Sequence, residues 1–307
     1  MLKLLECALN VSEGRREDVI RAIVAAAQGV RVLDVLSDRD HNRTVLTFVG
    51  SPEAAVEASF QVAAKAAELI DMHQHHGAHP RMGAVDVIPF VPLGDAVMSE
   101  AIAAARELGR RLGDELGIPV YLYEEAASRP ERKNLAHVRQ GEYEGLSHKM
   151  ADPAWKPDFG PERPHPTAGA TAVGARIYLL AYNVNLGTSE IEVARAIARA
   201  VRSKTGGLRN VKALGVMLQE RNLAQVSMNV VDPFQTPLYR VAELVRLEAA
   251  RYGVSVVDAE IVGLVPLSIL VEVARYYLQL GGFRDDQILE TRLWNQGEAP
   301  PPSSPAA

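Results

Sequence analysis

The feature that most constrains this chain is an internal repeat. Asn10-Val11-x-x-Gly14 recurs as Asn183-Val184-x-x-Gly187, 173 residues later. Each copy lies where an apolar stretch gives way to helical spacing. Ser51-Pro52, read as an N-cap and a first helical residue, has a counterpart in Thr236-Pro237. Around these signals both halves read strand, helix, strand, strand, helix, strand, the split βαβ or ferredoxin-like order. Chance turn chemistry accounts for one shared dipeptide, but two signals within one element order point to duplication. Helices cover one face of each sheet, so the other faces must pack together or line a cleft. The expected fold is α+β, with two tandem ferredoxin-like (βαββαβ) subdomains whose sheets face each other.

In the first half, apolar runs predict strands at 4–11, 30–35, 44–49, 85–91 and 120–123. Pro89 predicts a bulge or an edge position for the fourth of these. Helical spacing runs through Val19–Ala27, from Ser51 to Ile70, and through Ile102–Leu116. In the second half, strands are predicted at 177–184, 211–218, 224–231 and 254–257, and helices at 190–201, 238–250 and 269–280. Gln225, Ser227 and Asn229 alternate with Val226, Met228 and Val230, which gives that strand a polar face suited to a cleft. Residues 124–170 are rich in charge, Pro and Gly and hold no long period, as functional loops or linkers do. The expected divisions are 1–175, 176–295 and a disordered Pro/Ser/Ala tail at 296–307.

Net charge is −5 in 307 residues, which argues against a chain built to coat nucleic acid. The single cysteine, Cys7, excludes an internal disulfide and a cysteine-rich metal site. It lies in an apolar strand and reads as a buried, inert thiol. The longest uncharged stretch near the middle, 177–189, falls short of the roughly 20 apolar residues that span a bilayer. Charged residues near the N-terminus oppose a secretory signal. A soluble, cytoplasmic protein is expected, with no nucleic-acid or membrane partner.

Four of the eight histidines fall in His73-Gln74-His75-His76-Gly77-Ala78-His79. A metal site, a solvated polar loop and a histidine acting as acid or base all compete for this cluster. Gly77 and Pro80 break any helix that would align ligands, and no His-Glu-x-x-His pattern exists. Imidazole titrates near neutrality and can both take and give a proton. His79, beside Pro80 and Arg81, is the preferred candidate, with Arg81 placed to hold an anion. Asp38-Arg39-Asp40-His41-Asn42-Arg43 reads either as a charged hairpin or as a source of a cleft residue, Arg43 or Asn42. Asn10 to Gly14 reads either as capping by Ser12 or as an anion-binding turn. Gly169-Ala170-Thr171-Ala172-Val173-Gly174 precedes a strand rather than following one, against a nucleotide phosphate loop.

Taken together, several segments resemble the formiminotransferase domain family. They include Glu6-Cys7 with Asn10-x-Ser12-Glu13-Gly14, Asn42-Arg43-Thr44-Val45, and His79-Pro80-Arg81-Met82-Gly83-Ala84-Val85-Asp86-Val87. Further along come Gly141-Glu142-Tyr143-Glu144, Pro157-Asp158-Phe159-Gly160-Pro161, Gly169-Ala170-Thr171 and Val262-Gly263-Leu264-Val265-Pro266-Leu267. The resemblance implies transfer of the formimino group of N-formimino-L-glutamate to N5 of tetrahydrofolate, in histidine degradation. Formyl transfer from N-formylglutamate and a non-catalytic folate-binding module are the alternatives.

By the same resemblance His79 is catalytic. Gly160, Pro161, Glu162, Arg163, Pro164, His165, Pro166, Thr167, Ala168 and Gly169 line the folate site, with Gly169 letting the pterin approach the backbone. Asn10, Arg43 and Arg81 are the remaining binding candidates, the two arginines for the glutamate carboxylates. An aromatic residue of some members is Ala168 here. An aspartate of the first hairpin aligns with Leu36, so Asp38 or Asp40 would have to replace it. Tetrahydrofolate is expected as co-substrate, with no metal or redox cofactor, and a homodimer is expected.

Overall fold

In the computed structural model, residues 3–77 and 80–295 are described, and the chain divides into two compact units at Tyr178/Leu179. The predicted tail at 296–307 lies outside the described residues.

The first unit runs β1 (Lys3–Val11), α1 (Glu17–Ala25), β2 (Arg31–Asp38), β3 (Arg43–Gly50), α2 (Pro52–Leu69), β4 (Val85–Gly94), α3 (Met98–Leu116), β5 (Val120–Glu124), two short helices α4 (Leu135–Val138) and α5 (Leu146–Ala151), and β6 (Thr171–Ala175). Its sheet order is β2-β3-β1-β4-β6-β5. The first four neighbours give the ferredoxin-like arrangement, and β6 and β5 extend it in parallel. Leu5, Cys7 and Leu9 of β1 and Leu46 and Phe48 of β3 are fully buried in one core with α1, α2 and α3. Ser51 caps α2 by accepting from the Ala54 amide at 3.2 Å, as its sequence position predicts.

The second unit runs β7 (Leu180–Leu186), α6 (Ile191–Val201), β8 (Val211–Leu218), β9 (Leu223–Val230), α7 (Leu238–Arg251), β10 (Val256–Val262), α8 (Leu267–Tyr277) and α9 (Leu289–Asn295). Its sheet order, β10-β7-β9-β8, repeats the four-strand pattern. The duplication extends to the hairpins. Asn42 and Asn222 each immediately precede the third strand of their unit, both with positive φ, 48° and 50°. A short polar side chain tolerates that conformation best after glycine.

Four expectations change. Pro89 lies in an interior strand, not at an edge, and pairs with Gly174 of β6 on one side. On the other side the β1 ladder passes from Glu6↔Val91 to Asn10↔Val87, leaving the span around the N–H-less proline unpaired. Thr171–Ala175 is itself a strand. Ala172, Gly174 and Ala175 have weak strand propensity, but they fit between two neighbouring strands with every position buried. Residues 124–170 contain short helices rather than uninterrupted loop. Thr236 does not cap α7; its hydroxyl donates to the Arg209 carbonyl at 2.6 Å, and Pro237 occupies the cap position.

Candidate active site

Asn42 joins three of the motifs. Its side-chain oxygen accepts from the Gly14 amide at 2.9 Å, its side-chain nitrogen donates to the His76 carbonyl at 3.0 Å, and its own carbonyl accepts from His75 Nε2 at 2.9 Å. The Asn10–Gly14 turn, the first hairpin and the histidine segment therefore converge on one residue. Ser12 also serves this junction. Its hydroxyl donates to the Gly83 carbonyl at 2.7 Å. Ser12 does not cap α1, whose N-cap residue Arg16 makes no side-chain cap hydrogen bond; Glu13 Oε1 accepts from the Arg15 and Arg16 amides, both at 2.9 Å, just before the helix.

The four clustered histidines separate clearly. Ala78 and His79 lie outside the described residues. His73 is exposed, with Nδ1 2.9 Å from Asp71 Oδ1, and His76 is exposed beside a cavity. His75 is buried, with Nε2–H directed at Asn42 and Nδ1 accepting from Arg81 Nε at 3.2 Å. Burial and the nearby Arg81 cation hold the His75 imidazole below its usual titration range, although the Asn42 carbonyl pulls the other way.

Arg81 is buried and heavily engaged. It pairs with Glu144 through two contacts of 2.9 and 2.6 Å, and with Glu142 at 3.2 Å. The Glu144 contact raises the Arg81 guanidinium's proton affinity, while Arg81 holds the Glu144 carboxyl below its ordinary range. A cavity of about 480 Å³ opens here, lined by His76, Gly77, Arg81, Gly141, Glu142 and Glu144. For Arg81 to meet a substrate carboxylate, a glutamate of the chain would have to give way.

The segment 160–169 packs directly on this motif. The Met72 amide donates to the Thr167 carbonyl at 2.8 Å, Ala84 to Ala168 at 2.9 Å, and Ala170 to Met82 at 3.1 Å. His165 Nδ1 accepts from the Ala168 amide at 3.0 Å, and burial lowers its proton affinity. Glu162 pairs with Lys156 at 2.8 Å. Arg163 and Pro166 are exposed, while Pro161, Pro164 and Thr167 are half-buried. Gly160 also has positive φ, and Ala168 packs into the main core. Gly169 has φ +72°, and a Cβ there would stand 2.3 Å from the Met82 carbonyl oxygen. Its missing side chain is thus required by the protein's own backbone, a reason the sequence did not reveal.

Arg43 and Asn10 lie on adjacent strands. Asn10 donates to the Ala8 carbonyl across 3.4 Å. Burial and the neighbouring Arg139 cation lower the proton affinity of Arg43, against the pull of Asp38 and Asp86. Asp86 is buried, accepts from the Met82 amide at 2.8 Å, and is hydrogen-bonded by Arg139. Asp38 accepts from the His41 amide at 2.8 Å, and its Oδ2 lies 2.9 Å from His41 Nδ1. Asn42 was named from sequence beside Arg43 as a cleft candidate, whereas Asp86, Arg139 and Glu144 were not singled out as site residues. Asp86 and Glu144 stand inside quoted motifs, but spacing could not show what they face.

Cys7 is buried with its sulfur 3.7 Å from the Ser59 hydroxyl, and burial pushes its thiol up to about 12. Among the described residues, no group of three or more His, Cys, Asp or Glu is placed to hold a metal ion. No helix among them is long and apolar enough to cross a membrane.

Residues 4–176 match the formiminotransferase domain, N-terminal subdomain, and residues 181–289 match the formiminotransferase domain. A glutamate formimidoyltransferase of Thermoplasma acidophilum is 52% identical over 95% of this chain and 98% of its own length. One from Streptococcus pyogenes serotype M1 is 49% identical over 95% of this chain and 99% of its own. The formimidoyltransferase-cyclodeaminase of Sus scrofa is 46% identical over 91% of this chain and 53% of its own. With both subdomains in tandem and relatives matched along nearly their whole length, the chain belongs to the formiminotransferase family.

Proposed function

We propose that the chain transfers the formimino group of N-formimino-L-glutamate to N5 of tetrahydrofolate, giving 5-formiminotetrahydrofolate and L-glutamate. The observation that carries this is the near end-to-end match, at about half identity, to two glutamate formimidoyltransferases. Such a reaction belongs to histidine degradation and one-carbon metabolism. Tetrahydrofolate is the co-substrate.

In the proposed chemistry N5 attacks the formimino carbon and forms a tetrahedral intermediate. The N5 proton leaves, the carbon–nitrogen bond to glutamate breaks, and the departing nitrogen takes a proton. One imidazole can serve as base and then acid, a contribution of roughly 10²- to 10⁴-fold. We assign that role to His79. The chain on either side of it is anchored, by Asn42 holding His76 and by Glu144 holding Arg81. Arg81, with its donors committed, is assigned to fixing this segment, and Arg43 to the donor's carboxylate. Segment 160–169, hydrogen-bonded to the same motif, is assigned to the folate. Juxtaposing the two substrates supplies a further large share of the rate. No step requires a metal or redox cofactor. We further propose a cytoplasmic homodimer acting on small molecules, without nucleic-acid or membrane partners.

The test is incubation of purified protein with tetrahydrofolate and either N-formimino-L-glutamate or N-formyl-L-glutamate, following the 5-substituted folate by absorbance. Turnover of the formimino donor at the higher kcat/KM supports the reading. Preference for the formyl donor, or folate binding without turnover, overturns it.

A further inference from the structure

Arg139 and Asp86 belong to no role assigned above, yet they form a charge cluster with Arg43. Asp86 is buried and is hydrogen-bonded by the Arg139 guanidinium and the Met82 amide. Arg43 stands close enough for its charge to be felt by both Arg139 and Asp86. The guanidinium hydrogen-bonded to Asp86 is that of Arg139. Asp38 and Asp86 attract Arg43 and Arg139 repels it, and Asp38 Oδ2 also lies 2.9 Å from His41 Nδ1.

The hydrogen bonding is incomplete. The Nε atoms of Arg43 and Arg139 are buried without a partner among the described residues, and no side-chain hydrogen bond of Arg43 to them is found. A buried N–H without an acceptor is costly. A chain retains such an arrangement readily where an anionic ligand completes it. The cluster is also tied to the site. Asp86 binds the amide of Met82, three residues after His79, and Arg139 directly precedes the segment whose Gly141, Glu142 and Glu144 line the cavity.

We propose that Arg43 and Arg139, held by Asp86, form the subsite that binds a carboxylate of the glutamate moiety of the formimino donor. A planar guanidinium matches a carboxylate in charge and geometry, and charge-assisted pairs of this kind are the stronger hydrogen bonds. Asp86 is a positioning residue that orients Arg139. The inference rests on the proposed reaction for its biological meaning, but binding of L-glutamate, the product that carries the same carboxylates, tests it independently.

L-Glutamate and L-glutamine binding are measured by calorimetry for wild type, Arg43→Gln, Arg139→Gln and Arg139→Lys. Donor and tetrahydrofolate KM values are measured in parallel. Wild type should bind glutamate, and each Gln variant should weaken it by about 10-fold or more. The donor KM should rise while that for tetrahydrofolate stays within about twofold. Arg139→Lys should retain part of the preference for glutamate over glutamine, because it keeps the charge. Arg43→Gln should leave the melting temperature unchanged, since it removes no hydrogen bond to the described residues; a purely structural arginine predicts a fall. If Arg139→Gln fails to fold, Arg43→Gln decides the matter. Glutamate binding by Arg43→Gln within twofold of wild type overturns the proposal, as does no glutamate binding by wild type. Glutamate binding that requires both arginines, in a protein without formimino transfer, sustains the subsite and overturns the proposed reaction instead.

Discussion

Arg81 donates from Nε to Nδ1 of His75 across 3.2 Å, and this contact fixes the state of the buried imidazole. Nδ1 must be an acceptor, so Nε2 carries the proton and donates to the Asn42 carbonyl. His75 is therefore a neutral structural group, although it sits in a run of histidines that looks uniform in sequence.

Replacing His75 should consequently behave unlike replacing His76. His75→Ala leaves the Asn42 carbonyl and Arg81 Nε without this partner, at a cost of about 1–3 kcal/mol. His76 is exposed, and His76→Ala should stay within about 0.5 kcal/mol of wild type. Urea unfolding of the two variants checks this, and equal stability would contradict the assignment.

The same burial predicts a pH dependence of stability. His75 and His165 both have lowered proton affinity in the folded chain, through burial first. Once unfolded, each takes up a proton near its ordinary value of about 6.5. Their contribution is therefore fully present above about pH 6.5 and is lost as the pH falls below it, well before carboxylates titrate. Urea midpoints between pH 7.5 and 5 should decline, and the decline should be shallower in a His75→Gln, His165→Gln double variant. A flat profile in wild type would contradict the lowered values.

Gly169→Val should damage the fold rather than folate affinity alone. The added Cβ would stand 2.3 Å from the Met82 oxygen at φ +72°. A loss of at least about 2 kcal/mol is expected from the strained backbone and the overlap together. Thermal unfolding measures it. Unchanged stability with a raised KM for tetrahydrofolate alone would restore the simpler expectation that this glycine serves the pterin.

Much of this was legible in sequence for identifiable reasons. The element order of both halves follows from apolar periodicity, and the repeat from Asn10 to Gly14 marks a turn that Asn42 holds in place. What escaped were contacts that depend on three dimensions. Thr171–Ala175 carries too little bulk to read as a strand, and only its placement between β4 and β5 makes it one. Arg81 reads as a free cation until Glu144, 63 residues away, is seen against it. Arg139 lies in a stretch without periodicity, so nothing in its neighbours announces Asp86 as its partner.

Prolonged dialysis against a chelator should leave transfer activity unchanged. The described residues hold no cluster of three or more metal-ligating side chains, and the proposed proton transfers need only an imidazole. Activity assays with elemental analysis check this. Stoichiometric zinc, with activity lost on its removal and regained on its return, would contradict it.

The central claim is that His79 carries formimino transfer, and the kcat of His79→Ala with tetrahydrofolate and N-formimino-L-glutamate tests it most directly. Following formation of 5-formiminotetrahydrofolate by absorbance, wild type should turn over, and the variant should fall by about 10²-fold or more with its fold and folate binding retained. A His79→Ala protein that turns over at the wild-type rate would contradict the account.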